Sequence, residues 1–303
     1  MSEAGKVLNG LVAAPFTPFN ADFSLNLEVI DGFSKYLGSV GVRGVFVCGT
    51  TGEFSSLTMS ERLLIAEAWA KVARRDGLKL VLHVGDNCLT NACELAAHAA
   101  SLPVDAISMV PPSYFKPGSV KEVVNIFGQV AHSAPSLPIY YYDIPGLTGV
   151  VIPTSEFVRE ARRQVPSFAG VKFSNLDLVE LQRCIGLDDG NLNLLFGCDE
   201  MLMAAQSLGI DGAVGSTYNY LSPLYYRMLA AFEKGDLCEA QSLQRQSVDL
   251  VGLLNLVSPL SASKSLLKRI GFDFGPVRLP LRSLTPSEQK AFDESIDHLN
   301  LFQ

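Results

Sequence analysis

The chain has 303 residues, and 48% of them are hydrophobic, which is enough to bury one or two large cores. Its formal net charge of −7 and its sequence pI near 5.2 argue against a surface that binds nucleic acid. No apolar run approaches the roughly 20 residues of a membrane helix, and residues 1–10 lack a signal-peptide pattern. We therefore expect a cytoplasmic protein that binds neither membranes nor nucleic acid.

The cysteines and histidines indicate neither a disulfide framework nor a metal site. The six cysteines include no C-x-x-C pair, so we interpret them as reduced thiols. Of the four histidines, only His83 is expected at the end of a strand, whereas a zinc site usually draws several histidines together. We therefore expect no metal and no cofactor.

Short apolar segments alternate with helix-length segments up to about residue 215. The eight predicted strands are 10–17, 44–48, 79–84, 106–110, 139–142, 170–172, 194–197 and 212–215. Thr58 and Glu61 form a capping box that predicts the start of a helix after the second strand. Eight repeats of nearly continuous apolar strand and helix predict a (β/α)8 TIM barrel of the α/β class. An open doubly wound sheet is the alternative, but no G-x-G-x-x-G follows the first strand.

The pattern changes after residue 220, where helical segments follow one another without strands. Ser222 and Pro223 predict a helix start, and further helices are expected at 237–257 and 261–270. Thr285 and Glu288 form a second capping box. We predict one catalytic unit over residues 1–303, with a barrel at 1–220 and a helical extension packed on it at 221–303.

Lys172 is predicted at the carboxyl end of the sixth strand, where function gathers in barrels of this kind. Its neighbours Val171 and Phe173 would wall the side chain from water, and burial disfavours the ammonium form. A neutral amine can attack a ketone and form a Schiff base. Taken alone, this stretch favours the alternative, a lysine that ends a strand and reaches water.

Other predicted strand ends carry polar groups that suit the same chemistry. Tyr142 ends the fifth strand and offers a phenol for proton transfer. Thr50 and Thr51 follow the second strand, in a loop whose hydroxyl and N–H groups suit a carboxylate. The further candidates after strands six to eight are Ser174, Gly197, Asp199, Glu200 and Ser216. Each has a structural alternative, such as a turn, core packing or a helix cap, but the set suits metal-free cleavage of a carbon–carbon bond beside a 2-oxo acid.

In their order, these motifs resemble those of the pyruvate-dependent class I aldolases, the family that contains dihydrodipicolinate synthase and N-acetylneuraminate lyase. The shared motifs are GTTGE at 49–53, YDIP at 142–145 and GVKFS at 170–174. The animal lyase branch is most similar, through YYYDIPGLTGVV at 140–151, FGCDEML at 196–202, GAVGSTYNYL at 212–221 and VRLPL at 277–281. The resemblance covers nearly the whole chain.

The resemblance implies a role for each candidate residue. Lys172 would form the Schiff base, Tyr142 would donate and accept the proton, and Thr50 and Thr51 would bind a carboxylate. The residues implied to contact the rest of the sugar acid are Ser174, Gly197, Asp199, Glu200 and Ser216. The implied reaction is reversible cleavage of N-acetylneuraminate to N-acetylmannosamine and pyruvate, by a homotetramer. Two alternatives stay open: an aldolase for another 2-keto-3-deoxy sugar acid or sialic acid variant, and a non-catalytic barrel that binds sialic acid or pyruvate.

The chain also departs from the family pattern. Leu147 stands where the synthase has an arginine for a second carboxylate, which favours a polyol substrate. Asp143 stands where relatives often carry asparagine or histidine, and this leaves the local hydrogen bonding open. Tyr114 occupies a position that in bacterial members lies near a subunit boundary.

Overall fold

Eight parallel strands close into a barrel in the computed structural model, which describes residues 6–187 and 191–302. The strands are β1 (Gly10–Ala13), β2 (Gly44–Val47), β3 (Lys79–His83), β4 (Ala106–Met109), β5 (Ile139–Asp143), β6 (Phe168–Phe173), β7 (Asn193–Phe196) and β8 (Gly212–Gly215). They pair in chain order, and β1 pairs with β8, so the sheet leaves no free edge. This confirms the predicted (β/α)8 barrel. Residues 1–5, 188–190 and 303 of the predicted unit lie outside the described residues.

Helices connect the strands and continue beyond the last one. The described helices are α1 (Val29–Ser39), α2 (Met59–Val72), α3 (Leu89–Ala100), α4 (Val120–Ser133), α5 (Pro145–Thr148), α6 (Thr154–Gln164), α7 (Leu178–Ile185), α8 (Leu202–Leu208), α9 (Tyr218–Glu233), α10 (Leu237–Asn255), α11 (Pro259–Arg269) and α12 (Pro286–Leu299). In the described part of the chain no single helix is long and apolar enough to cross a membrane. Only α10 and α11 together meet that criterion, across a 119° bend.

The predicted helix starts are found where side-chain caps specify them. The Thr58 side chain accepts a hydrogen bond from the Glu61 N–H, and the Thr285 side chain accepts one from the Glu288 N–H. Both predicted capping boxes are therefore present. The start predicted at Ser222 is also found, because α9 consists of two helices that meet at a kink, and Ser222 directly follows the kink. The kink is at Leu221 (φ −130°, ψ 16°), because Pro223 lacks an N–H and its ring crowds the preceding turn.

Side chains alternate between the barrel interior and the helix-covered face. Tyr140 and Tyr142 point inward, where they pack with Phe46 and Val214, while Tyr141 points outward among the helices. This is the alternation expected of a β-strand. The strand β1 is shorter than the predicted 10–17, since Pro15 and Pro18 have no N–H to continue the ladder.

The amino-terminal end of the barrel is filled by its own side chains. Asn193 accepts hydrogen bonds through Oδ1 from the Tyr140 hydroxyl at 2.6 Å and from the Leu8 N–H at 3.1 Å. Leu8 is fully buried there beside Val12. Leu8, Tyr140 and Asn193 therefore close the interior of the barrel at this end.

The helical extension packs on the barrel near strands β7 and β8. The Gln244 side chain of α10 accepts a hydrogen bond from the Met203 N–H at 2.8 Å and donates one to the Asp199 carbonyl at 3.2 Å. The Asn219 amide at the start of α9 donates to the Ala14 carbonyl at 2.6 Å. These contacts place α9 and α10 against the carboxyl end of the barrel.

Candidate active site

All nine residues predicted from the strand ends line one cavity of about 200 Å³ at the carboxyl end of the barrel. These residues are Thr50, Thr51, Tyr142, Lys172, Ser174, Gly197, Asp199, Glu200 and Ser216. They come from five loops or strand ends that are far apart in sequence. Closure of the parallel barrel brings them together, because all its strands end on the same side.

Lys172 is buried inside the barrel and has only 4% of its surface exposed. Its Nζ atom lies 3.8 Å from the ring centroid of Tyr142 and 4.3 Å from that of Phe46. The strand β6 continues one residue past the lysine, to Phe173, and alternation sends Val171 and Phe173 to the outer core. The expectation that these two neighbours wall the lysine was therefore wrong. Residues of β2 and β5 wall it instead.

Tyr142 lies beside Lys172 in the β5–β6 register and orients its hydroxyl toward the β2 loop. The Tyr142 hydroxyl and the Thr50 Oγ1 atom are 3.2 Å apart, within hydrogen-bonding distance. The ring of Tyr142 packs edge-on against Phe46, with centroids 5.5 Å apart. A phenol, an amine and a hydroxyl thus share a small, largely buried space, where each electrostatic contact is stronger than in water.

Gly197 allows the β6 and β7 loops to approach closely. A Cβ atom at this position would lie 1.9 Å from the Ser174 Oγ, so no side chain fits there. The Ser174 N–H donates to the Asp143 carbonyl at 2.8 Å, which fixes the start of the loop after β6. Ser174 is half-buried at the cavity wall, where its hydroxyl can meet a ligand.

Asp199 is buried at the cavity wall with one oxygen engaged. Its Oδ2 accepts hydrogen bonds from the Thr217 N–H at 2.9 Å and the Thr217 Oγ1 at 2.6 Å. Its Oδ1 and the nearby Tyr218 hydroxyl have no well-formed hydrogen bond within residues 6–187 and 191–302. A Cβ on Gly215 would lie 1.8 Å from Oδ1, so the glycine leaves room for this carboxylate. Burial raises the pKa of Asp199, although contacts with Thr217 and Tyr218 oppose the shift.

Asp143 follows Tyr142 but points away from the cavity, into the layer between β5 and the helices. Its Oδ2 accepts hydrogen bonds from the Thr154 Oγ1 at 3.0 Å and the Asn175 Nδ2 at 3.2 Å. Burial raises the pKa of Asp143 to about 6, although both hydrogen bonds oppose the shift. The hydrogen bonding that the sequence left open is therefore complete for this oxygen.

The helical extension contributes residues to the cavity that were not predicted from the sequence. The cavity residues that come from it are Val251, Leu254, Asn255, Pro259, Leu260 and Ser263. They are separated from Lys172 by about 80 residues and follow an ordinary amphipathic pattern, so nothing in their local sequence distinguishes them. Thr217 was also missed, although it directly follows the predicted Ser216.

His83 lies inside the barrel behind Tyr142, with ring centroids 6.0 Å apart. Its Nε2 accepts a hydrogen bond from the Val110 N–H at 3.3 Å, which places the proton on the other nitrogen. Burial, together with Arg62 and Lys172, lowers the pKa of His83 well below its usual value. His83 therefore supplies a neutral wall behind the two reactive side chains.

Comparison with known proteins gives the same family as the motifs. The model of the dihydrodipicolinate synthetase family matches residues 7–299. The N-acetylneuraminate lyase of Xenopus tropicalis is 43% identical over 291 residues, 95% of each chain. The Proteus mirabilis N-acetylneuraminate lyase structure has a TM-score of 0.94 at 36% identity, over 97% of this chain and 99% of that one. A Ruminococcus gnavus sialic acid aldolase, solved as a catalytic lysine mutant, has a TM-score of 0.91 at 27% identity, over 97% of this chain and 96% of that one. These matches confirm the resemblance of the motifs, and the chain belongs to the dihydrodipicolinate synthetase family.

Proposed function

We propose that this protein is a class I aldolase that cleaves N-acetylneuraminate reversibly to N-acetylmannosamine and pyruvate. The observation that carries the proposal is the buried Lys172 amine, which lies against Tyr142 in a cavity that also contains Thr50 and Thr51. The names of relatives such as the Xenopus tropicalis lyase support the choice of substrate.

The first step is formation of a Schiff base. The neutral Lys172 amine attacks the C2 ketone of the open-chain sugar acid, and loss of water gives an iminium ion. Thr50 and Thr51 hold the neighbouring carboxylate through hydroxyl and N–H groups of the β2 loop. The aromatic rings of Phe46 and Tyr142 lie 4.3 Å and 3.8 Å from the Lys172 Nζ and limit the access of water to the amine.

The second step breaks the C3–C4 bond. Tyr142 gives its phenolic proton to the oxygen that leaves as water in the first step, and the resulting phenolate accepts the proton of the C4 hydroxyl as that oxygen becomes the aldehyde of N-acetylmannosamine. The electron pair of the C3–C4 bond moves into the iminium ion and forms an enamine on Lys172. The enamine takes a proton at C3, and water then hydrolyses the resulting iminium ion to release pyruvate and restore the amine.

The polyol part of the substrate would lie against the β7 and β8 loops. Asp199 lines this wall together with the half-buried Glu200 and Ser216. These acceptors suit sugar hydroxyls rather than a second carboxylate. Leu147, at the position of the synthase arginine, is exposed and lies outside the residues that line the cavity.

Borohydride trapping tests the reaction class. The protein is incubated with pyruvate and sodium borohydride, and its intact mass is measured beside that of the Lys172→Ala variant. We expect a stable pyruvyl adduct on the parent and none on the variant. Turnover by the variant should be abolished, while its circular dichroism spectrum should match that of the parent and so show that the fold is retained. An unmodified parent would refute the aldolase proposal and favour a barrel that only binds its ligand.

A substrate panel tests the choice of sugar acid. N-acetylneuraminate is compared by kcat/KM with glycolylated and non-acetylated sialic acids and with other 2-keto-3-deoxy sugar acids, because specificity is a ratio of these values. We expect N-acetylneuraminate to have the highest value. A higher value for a 2-keto-3-deoxy acid without the N-acetyl group would refute the substrate while leaving the reaction class intact.

We also propose that the chain acts as one catalytic unit in a cytoplasmic homotetramer. The cavity lining contributed by the extension supports a single unit. Exposed apolar residues on adjoining loops after β4 and β5, Tyr114, Phe115, Leu147 and Val151, support a contact with another copy. All six cysteines lie within the described residues as free thiols, as is usual in the reducing cytosol. Light scattering coupled to size exclusion measures the assembly, and a monomer at micromolar concentration would refute it.

A further inference from the structure

The carboxylate of Glu53 is buried outside the cavity, two residues after Thr51, the second of the two threonines proposed to hold the substrate carboxylate. Its backbone is left-handed (φ 56°), a conformation that costs a non-glycine residue energy and persists only where the surroundings hold it. The Glu53 N–H donates to the Thr50 carbonyl at 3.0 Å, and the Thr17 hydroxyl donates to the Gly52 carbonyl at 2.7 Å. The side chain of Glu53 is thus rigidly joined to the loop that presents Thr50 and Thr51.

The partner of this carboxylate comes from the helical extension. The Nζ of Lys264, in α11, lies 2.9 Å from the Glu53 Oε1, and both side chains are almost completely buried (3% and 0% exposed). The same Nζ donates to the Pro276 carbonyl at 2.6 Å and lies 4.6 Å from the ring centroid of Phe19. The other carboxylate oxygen, Oε2, accepts from the Arg278 N–H at 2.8 Å.

The side chain of Arg278 binds segment 264–278 to the barrel. It pairs with both carboxylate oxygens of Glu61 in α2 and donates to the Ser56 carbonyl at 3.0 Å and the Phe23 carbonyl at 2.7 Å. Segment 264–278 and the loop after β2 are therefore joined by two charged contacts, one buried and one at the rim.

A buried ion pair is a poor device for stability alone. Desolvation of the two charges offsets most of their attraction, and an apolar pair of similar volume is often as stable or more stable. What an ion pair with additional hydrogen bonds does supply is a defined geometry, because both groups are fixed by directional contacts. Glu53 lies three residues after Thr50, so the ion pair fixes the loop at the place where the substrate carboxylate would bind. The Thr50 Oγ1 is in turn 3.2 Å from the Tyr142 hydroxyl.

We propose that Lys264 and Glu53 are positioning residues, through which the helical extension sets the place of Thr50 and Thr51 and thereby the affinity for the carboxylate of the 2-oxo acid. Neither residue lines the cavity, so both act through the loop. This inference rests on the proposed aldolase function and deepens it by giving the extension a part in binding pyruvate.

The test measures how borohydride trapping at Lys172 depends on pyruvate concentration, in the full-length parent and in the double variant Glu53→Gln/Lys264→Met. Removal of both charges leaves no unpaired buried ion, so the fold should be retained, as checked by thermal unfolding. We expect the pyruvate concentration for half-maximal trapping to rise about tenfold, while trapping at saturating pyruvate stays within about threefold of the parent. Should the double variant not fold, Glu53→Gln/Lys264→Gln, which also removes both charges and keeps a hydrogen-bond donor at position 264, is used in the same way.

Arg269→Met is the matched control. Arg269 also lies in α11 and forms ion pairs with Asp293 and Asp297 of α12, but it does not contact the β2 loop. We expect its loss to lower thermal stability without changing half-saturation by pyruvate. The inference is overturned if the double variant binds pyruvate like the parent, if only its saturated rate falls, or if the Arg269 variant shifts half-saturation as much. An unmodified parent would instead refute the aldolase function itself, so the two failures are distinguishable.

Discussion

Replacement of Asp143 by asparagine tests whether a buried carboxylate beside the proposed active site weakens the fold at neutral pH. Asp143 is 2% exposed, and its Oδ2 accepts hydrogen bonds from Thr154 and Asn175. An asparagine oxygen can accept the same two hydrogen bonds. The variant therefore keeps the contacts of Oδ2 and removes only the charge, so a change in stability reports the free energy of burying that charge.

The size of the effect follows from the pKa of Asp143, which burial raises from 3.8 to about 6. A raised pKa means that the folded state binds a proton that the unfolded state has lost between about pH 4 and pH 6. The contribution of Asp143 to stability is therefore most favourable below about pH 4 and declines as the pH rises. Above about pH 6 it is less favourable by up to about 3 kcal/mol, from about 1.4 kcal/mol for each unit of pKa.

Denaturant unfolding at pH 8 and at pH 4.5 measures this difference. Asp143→Asn should be more stable than the parent at pH 8, by at most about 3 kcal/mol, and the advantage should shrink at pH 4.5. Asp249→Asn, the same change at an exposed position of α10, is the control and should stay within about 0.5 kcal/mol at both pH values. If Asp143→Asn is no more stable at pH 8, or if its advantage does not shrink on acidification, the reasoning from burial is refuted.

Two further substitutions separate the parts of the proposed mechanism. Tyr142→Phe should still trap pyruvate but lose about 100-fold or more in kcat for N-acetylneuraminate, because the proton acceptor is gone; full cleavage would remove Tyr142 from its role. Gly215→Ala places a Cβ 1.8 Å from the Asp199 Oδ1 and so displaces that carboxylate. Gly215→Ala should raise the KM for N-acetylneuraminate about tenfold and leave pyruvate trapping unchanged. If pyruvate trapping weakened as much as the affinity for N-acetylneuraminate, Asp199 would not contact the sugar part alone.

The sequence predicted the barrel and the residues at its strand ends because both depend on local signals. Each strand is a short apolar run, and each polar candidate directly follows such a run, so chain order alone places Thr50, Tyr142 and Lys172 on one edge. Their surroundings depend on which side of the strand each neighbour faces. For this reason Lys172 was correctly placed in the barrel, while the residues that enclose it were not.

The contacts between distant segments could not be predicted in this way. Lys264 and Glu53 are separated by more than 200 residues, and neither has a local pattern that indicates a buried partner. The raised pKa of Asp143 likewise depends on helices that cover β5 from outside the barrel. Such properties arise from packing, which a hydrophobic pattern specifies only as buried or exposed.

The cavity itself suggests how substrate choice and chemistry are separated along the chain. Thr50, Tyr142 and Lys172 enclose the proposed 2-oxo acid end and come from strands β2, β5 and β6. The opposite wall comes from the loops after β7 and β8 and from residues 251–263 of the extension. Since Schiff-base chemistry requires only the first group, substitutions in the second should change which aldehyde is released before they change imine formation. The Glu53–Lys264 pair is the exception, because it joins the extension to the carboxylate loop and so makes pyruvate binding depend on the same helices that line the sugar end.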